Sequence, residues 1–112
     1  MTEFIQVMTT APTAADAERL AALLVERRLA ACAQVLGPIV SRYWWEGQVE
    51  RAEEWLLLAK TAAERYPAVE AAIRSEHPYR VPEILAVPVS AGLGDYLAWV
   101  RASLRGEPAS QP

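Results

Sequence analysis

The order of apolar and polar residues predicts four β-strands and three helices. Residues 3–9 are rich in side chains that favour strands and stop before Pro12, so they predict a first strand followed by a break. Thr13 and Asp16 then stand at the spacing of a capping box, and apolar residues recur from Ala17 at helical intervals. This pattern predicts an amphipathic first helix.

A long hairpin is predicted next. Residues 29–49 read as a strand that Gly37 and Pro38 interrupt. Because proline cannot donate a ladder hydrogen bond and glycine weakens a strand, we expect a bend or bulge there, near a sheet edge. The polar residues 50–54 are predicted to form a solvated turn into the apolar residues 55–61, which complete the hairpin.

The second half of the chain predicts a helix, a loop, a strand and a last helix. The second helix has Thr61 and Glu64 at capping-box spacing. Residues 77–83 must form a loop, because their two prolines favour extended backbone before them. Residues 84–90 read as a fourth strand, and residues 94–104 read as a short C-terminal helix.

This order of elements defines the expected fold class. The sequence β, α, β, β, α, β predicts an α+β protein of the ferredoxin-like (βαββαβ) type, with an antiparallel sheet, helices on one face and an extra C-terminal helix. A chain of 112 residues leaves no room for a second independent core. We therefore assign residues 1–105 to a single domain and residues 106–112 to a polar C-terminal tail.

Two of the predicted strands suggest that the chain assembles with copies of itself. The runs WLLLA and ILAV are continuously apolar, which is typical of strands buried on both faces. Because the helices of this fold cover one face and the last helix is short, we expect a homo-oligomer. We expect a neighbouring subunit or the C-terminal helix to contact Trp44. The alternative is a monomer with Trp44 on its surface, since single exposed apolar residues are common.

Composition and charge exclude several classes of protein. The net charge is −3 and the basic residues are scattered, which excludes a nucleic-acid binder that works through bulk positive charge. The sequence shows no signal peptide and no apolar run long enough to span a bilayer. The single cysteine, Cys32, fits a reducing compartment. We therefore expect a cytoplasmic protein without nucleic-acid or membrane partners.

Few residues could carry catalysis. The chain lacks phosphate-binding, dinucleotide-binding and H-E-x-x-H motifs, and one cysteine with one histidine cannot build a closed zinc site. His77 follows a helix beside Glu76, where it can cap the helix or act as a ligand. Glu83 is the best-placed carboxylate for acid–base chemistry with His77, but a role in holding the loop explains it better. The sequence therefore does not predict an enzyme.

Five motifs, in their order and spacing, resemble the CutA divalent-cation tolerance family across residues 4–104. They are ERRLAACAQV, YWWEG, LLLAKT, HPYRVPEI and GDYLAWV. The resemblance implies a cytoplasmic protein associated with tolerance to divalent cations, especially copper, and it implies no established enzymatic reaction. It also implies a tight PII-like homotrimer in which hairpins complete sheets between subunits. A PII-like signalling or scaffold trimer, binding a small anionic metabolite or a partner protein, is the alternative.

The resemblance also implies a site between subunits. The residues that it assigns to the inter-subunit cleft are Cys32, Tyr43, Trp45, Lys60, Tyr79, Pro82 and Glu83. Metal-binding members can present a cysteine and a second histidine where this chain has Thr9 and Glu76. Threonine is a poor ligand for Cu(I), which prefers thiolates, but carboxylate and imidazole can hold a harder ion. The candidate ligands for copper or zinc are therefore His77, Glu76 and Thr9.

Overall fold

The computed structural model describes residues 3–108, which contain four strands and three α-helices. The strands are β1 (Phe4–Ala11), β2 (Cys32–Trp45), β3 (Gln48–Ala62) and β4 (Ile84–Pro88). The helices are α1 (Ala14–Glu26), α2 (Tyr66–Glu76), which follows a 3-10 turn (Ala63–Arg65), and α3 (Gly94–Leu104). Most of the predicted polar tail, residues 109–112, lies outside the described residues.

The strands form one antiparallel sheet in the order β2-β3-β1-β4. The main core lies between this sheet and the helices α1 and α2, and its larger members are Ile5, Val7, Leu20, Leu24, Leu57, Val69 and Ile73. Helix α3 packs on the opposite face, where Val100 and Leu104 contact Phe4. The predicted ferredoxin-like fold, with two helices on one face and an extra C-terminal helix, is confirmed.

Helix α1 begins as its sequence predicts. The Thr13 hydroxyl accepts a hydrogen bond from the Asp16 backbone N–H at 3.0 Å and donates to the Asp16 carboxylate at 2.9 Å. This cap satisfies one of the N–H groups that a helix start leaves without a partner. The buried stripe of α1 consists of Ala17, Leu20 and Leu24, so the predicted amphipathic face is confirmed.

Helix α2 begins differently from the prediction. The Thr61 hydroxyl does not cap this helix but donates to the Leu29 carbonyl at 2.6 Å. A 3-10 turn separates Thr61 from α2, whose first residues include Pro67 and whose N-cap residue, Arg65, makes no side-chain cap. The predicted capping box is therefore wrong. Strand β3 continues through Thr61, and the Thr61 hydroxyl binds the loop between α1 and β2.

The hairpin turn lies at Glu46 and Gly47, not at residues 50–54. Both turn residues have positive φ, 49° and 79°, as a two-residue type I′ turn requires. Residues 50–54 belong to β3 and pair with residues 39–43 of β2. The register of this pairing shifts between Leu36 and Ile39. The predicted bulge is confirmed, and the predicted turn is wrong.

The far half of the hairpin extends beyond the other strands, and we call residues 39–54 the arm. Pairing between β1 and β3 ends at Trp55, whereas β2 pairs with β3 as far as Gln48. The arm exposes Val40, Tyr43, Trp44, Trp45 and Val49. Trp44 is 75% exposed, and α3 packs at the opposite end of the hairpin. The C-terminal helix therefore does not cover Trp44. Contact between Trp44 and a neighbouring subunit stays a prediction.

One sheet face is only partly covered. Helix α3 covers its end around Phe4 and Ala62. The remainder, which we call the open sheet face, is largely apolar, and its large apolar residues are Met8, Leu36, Leu56, Leu58, Leu85 and Val87. Leu85 is 54% exposed on the edge strand β4. The continuous apolar runs thus have one face in the core and one face without cover from the described residues. Within residues 3–108, no helix combines the length and apolarity needed to cross a bilayer.

Candidate functional site

His77 joins the end of α2 to strand β1. Its side chain is 9% exposed. Its Nε2 atom donates to the Thr10 carbonyl at 2.7 Å, and its Nδ1 atom accepts from the Tyr79 backbone N–H at 3.0 Å. A carbonyl needs a donor and an N–H needs an acceptor, so these partners select the neutral ring with its proton on Nε2. His77 therefore pins the loop after α2 to the sheet.

Tyr79 links this loop to the arm. Its hydroxyl donates to Glu54 Oε2 at 2.9 Å, and its ring centroid lies 5.0 Å from that of His77. Glu54 occupies β3 one residue before the segment that pairs with β1, where the loop crosses the base of the arm. Together, Glu54, Tyr79 and His77 form a hydrogen-bonded group that we call the Glu54 cluster.

The environment of Tyr79 disfavours ionisation of its phenol. Burial is the largest cause, followed by the hydrogen bond to Glu54 and the charge of that carboxylate, and together they raise the pKa of Tyr79 from 10.0 to about 12. Tyr43 and Asp16 contribute smaller parts of this rise in the pKa. Tyr43, a predicted cleft residue, lies on the arm and pairs with Glu50, four residues before Glu54 on β3.

We expect Tyr79→Phe to change how stability depends on alkaline pH. Below pH 10.0 the Tyr79 phenol is protonated in both folded and unfolded chains. Between pH 10.0 and about 12 only the unfolded chain ionises, so the free energy of unfolding of the wild type falls as pH rises. Urea unfolding across this window should show a shallower fall for Tyr79→Phe. Equal slopes for both proteins would contradict the assignment.

Glu54 is a buried carboxylate that sequence reasoning assigned to a solvated turn. Its exposure is 7%, and none of the ion pairs among residues 3–108 includes it. Buried carboxylates are normally neutralised by a cation or bind a metal. Strand parity gave no signal of this burial, because Glu54 shares its parity with Leu56 and Leu58 on the open sheet face.

The three predicted metal ligands do not form a site within one chain. Thr9 is fully buried, both ring nitrogens of His77 have backbone partners, and Glu76 is exposed at the end of α2. No group of three or more His, Cys, Asp or Glu side chains that could hold a metal occurs in residues 3–108. The ligand assignment stays a prediction, and it requires donors from a second chain.

Thr9 has an unusual environment for a polar side chain. It lies on the core-facing side of β1, opposite Leu57, and its Oγ1 atom is buried without a hydrogen-bond partner among the described residues. Such an atom loses its hydration without compensation. A ligand role would require a cation to enter the core.

We expect Thr9→Val to stabilise the protein by about 1 kcal/mol, because valine keeps the shape and removes the unpartnered hydroxyl. Thr61→Val is the matched control, since Thr61 is equally buried but donates to Leu29, and we expect a loss of about 1 kcal/mol there. Urea unfolding measures both changes. Destabilisation by Thr9→Val would show that its hydroxyl has a partner in the assembled protein.

The predicted cleft residues divide into two groups. Tyr79 belongs to the Glu54 cluster, Tyr43 lies on the arm opposite Glu50, and Trp45 lies near the tip of the arm. Pro82 is half-buried and Glu83 exposed in the loop before β4. Cys32 and Lys60 form a second group. They pair across β2 and β3, and Lys60 is six residues from Glu54, which corresponds to roughly 20 Å along the strand.

Cys32 lies beside α3. It is half-buried, and its thiol neighbours the Tyr96 hydroxyl. Burial is the main cause that raises the pKa of Tyr96, and the charge and hydrogen bond of Cys32 add to it. The one thiol of the chain is thus far from the Glu54 cluster.

Known proteins resemble this chain over most of its length. The family model described as CutA1 divalent ion tolerance protein matches residues 5–103. The divalent-cation tolerance protein CutA of Citrobacter koseri is 43% identical over 103 residues, which are 92% of this chain and 90% of that protein.

Solved structures show the same similarity. CutA from Xylella fastidiosa has a TM-score of 0.89 and 39% identity, covering 92% of this chain and 99% of that chain. The periplasmic divalent cation tolerance protein CutA from Archaeoglobus fulgidus has a TM-score of 0.88 and 37% identity, covering 90% of this chain and 98% of that chain.

Proposed function

Because the chain belongs to the CutA1 divalent ion tolerance protein family, we propose that it binds a divalent cation, copper or zinc, in clefts between the subunits of a homotrimer. The observation that carries this proposal is Glu54, a carboxylate that is 7% exposed and outside every ion pair of residues 3–108. A bound cation would compensate the burial of its charge.

Two surfaces support assembly. The open sheet face and the arm both present large apolar side chains, among them Leu85 and Trp44. Burying such surface stabilises an assembly by about 25 cal/mol per Å² of apolar area. Contiguous exposed apolar patches on soluble proteins commonly mark interfaces. The number three is what the family resemblance implies.

The donor set favours a cation of intermediate or hard character. Glu54 offers carboxylate oxygen, and Glu76 and Glu83 are exposed carboxylates at the two ends of the loop that carries His77. Zinc and Cu(II) accept carboxylate and imidazole ligands, whereas Cu(I) prefers thiolates. His77 could join only if its Nδ1 atom released the Tyr79 N–H. One chain supplies too few donors, so the site requires residues from a neighbouring subunit.

Calorimetric titration with copper(II) and zinc chloride tests this proposal. We expect Glu54→Gln to weaken binding of the favoured cation at least tenfold, which corresponds to about 1.4 kcal/mol. The amide oxygen of glutamine can still accept the Tyr79 hydrogen bond, so the fold should persist. Glu53→Gln is the matched control, because Glu53 is the next residue on β3 and is exposed. Equal affinities in wild type and both variants would contradict the proposal.

We also propose a binding role in the cytoplasm. The relatives are named as tolerance proteins, and the isolated Cys32 suits a reducing compartment. The Archaeoglobus protein is called periplasmic, a description that applies to that protein. Fractionation of the native host distinguishes the compartments, and recovery outside the cytoplasm would contradict this placement.

A further inference from the structure

A cavity of about 260 Å³ lies between α3 and the sheet, away from the Glu54 cluster. Its walls come from β1, β3, the loop after β4 and the first turns of α3. The lining residues include Phe4, Gln6, Lys60, Ala91, Leu97 and Val100. Ligand pockets commonly enclose about 300 Å³ or more, so this cavity suits a small molecule.

Lys60 is the one charged side chain among these lining residues, all of which lie in the described part of the chain. It is half-buried, and its ammonium group donates to the amide oxygen of Gln34. None of the ion pairs within residues 3–108 includes Lys60. An ammonium group has three donors, so two remain after the bond to Gln34. One wall of the cavity is therefore formed by a lysine that has no ion-pair partner among the described residues.

The cavity has distinct polar and apolar ends. Lys60 pairs in register with Gln6 on β1 and with Cys32 on β2, so these three side chains form a polar row across the sheet. Phe4, Leu97 and Val100 supply apolar wall. A ligand that matches both ends needs a compact apolar body and one anionic group.

We propose that this cavity binds a small monocarboxylate with an aromatic or branched aliphatic body. The carboxylate contacts the Lys60 ammonium and the Gln6 amide, and the body lies against Phe4, Leu97 and Val100. A carboxylate fits better than a phosphate, because a phosphate group near neutral pH carries close to two negative charges and the cavity offers one cation. Because one carboxylate charge pairs with the one Lys60 charge, neither group is left buried without a partner, and the cost of removing both from water stays low.

This proposal does not rest on cation binding. Lys60 and Glu54 are six residues apart on β3, roughly 20 Å along an extended strand. A side chain substituted at one site therefore does not contact the other site. Loss of cation affinity in Glu54→Gln and loss of carboxylate affinity in a Lys60 variant report on separate sites.

Titration of the isotope-labelled full-length protein by NMR tests the cavity, with benzoate, neutral benzamide and acetate as probes. We expect benzoate to perturb residues that line the cavity in the millimolar range. Benzamide keeps the ring without the charge and acetate keeps the charge without the ring, so each should bind at least tenfold more weakly. Melting temperatures of every variant confirm that it is folded.

Four variants complete the test. Lys60→Met should reduce benzoate affinity about tenfold, to the level of benzamide, and Lys60→Arg should retain most of it. Ala91→Leu should fill the cavity and abolish binding. Arg74→Met, an exposed position on α2, removes the same charge elsewhere and should leave affinity unchanged.

Three results would overturn the proposal. Absence of perturbation at the cavity, including the case in which a neighbouring subunit fills it, would overturn the proposal. Equal binding of benzoate and benzamide, or unchanged benzoate affinity in Lys60→Met, would show that Lys60 does not select a carboxylate and would also overturn it.

Discussion

Replacing Leu85 by aspartate is expected to convert the assembled protein into folded monomers at micromolar concentration. Leu85 is 54% exposed in the single chain, so the substitution should change the stability of an isolated subunit by no more than about 0.5 kcal/mol. In an assembly that covers the open sheet face, each copy of the new carboxylate would be buried without a partner, which costs several kcal/mol per charge. Light scattering measures the mass.

Val25→Asp is the control for this experiment. Val25 is an exposed apolar residue of α1, in the helical layer on the other side of the sheet, and we expect the mass of this variant to equal that of the wild type. Retention of the wild-type mass by Leu85→Asp, or a monomeric wild type, would contradict assembly through the open sheet face.

His77→Ala is expected to lower the free energy of unfolding by about 2 to 6 kcal/mol. The substitution removes the partners of the Thr10 carbonyl and the Tyr79 N–H, and each buried polar group left without a partner costs about 1 to 3 kcal/mol. The loop should also become more mobile, because His77 holds it to β1. Urea unfolding measures the loss, and hydrogen exchange of the Tyr79 amide measures the loop.

Glu76→Ala provides the comparison. Its side chain is exposed, and its carbonyl still accepts from Arg19, so the effect should stay within about 0.5 kcal/mol. If His77→Ala retained wild-type stability but lost cation affinity, His77 would act as a ligand and not as the residue that pins the loop.

Local chemistry was sufficient to predict most of the fold. Thr13 and Asp16 form the capping box that their spacing predicts, because both partners lie within one helical turn. The bulge near Gly37 and Pro38 also follows from local backbone properties. The apolar runs correctly indicated a second sheet face that the two crossover helices leave without cover.

One error arises from a distant residue and the other from a choice between two neighbouring polar segments. Thr61 has the spacing of a helix cap, but the Leu29 carbonyl uses its hydroxyl. The polar composition of residues 50–54 resembles a turn, whereas positive φ at Glu46 and Gly47 places the turn earlier. A single sequence does not indicate which of two polar segments reverses the chain when both are flanked by strand-forming residues.

The candidate site was predicted in part. The family resemblance identified His77 and Tyr79, which belong to one hydrogen-bonded group, and Tyr43, which lies on the arm. It did not identify Glu54, because the burial of this carboxylate depends on the loop that crosses the base of the arm. It also assigned Lys60 to a cleft between subunits, which stays a prediction, and within one chain Lys60 lines a cavity beneath α3.

Crystals soaked in zinc chloride and measured at the zinc absorption edge test the central proposal most directly. The proposal predicts an anomalous peak at about 2.0 to 2.2 Å from a Glu54 carboxylate oxygen, the usual distance for zinc and carboxylate, with further ligands from a neighbouring subunit. No peak at Glu54, or a peak whose ligands all come from one chain, would contradict a cation site completed between subunits.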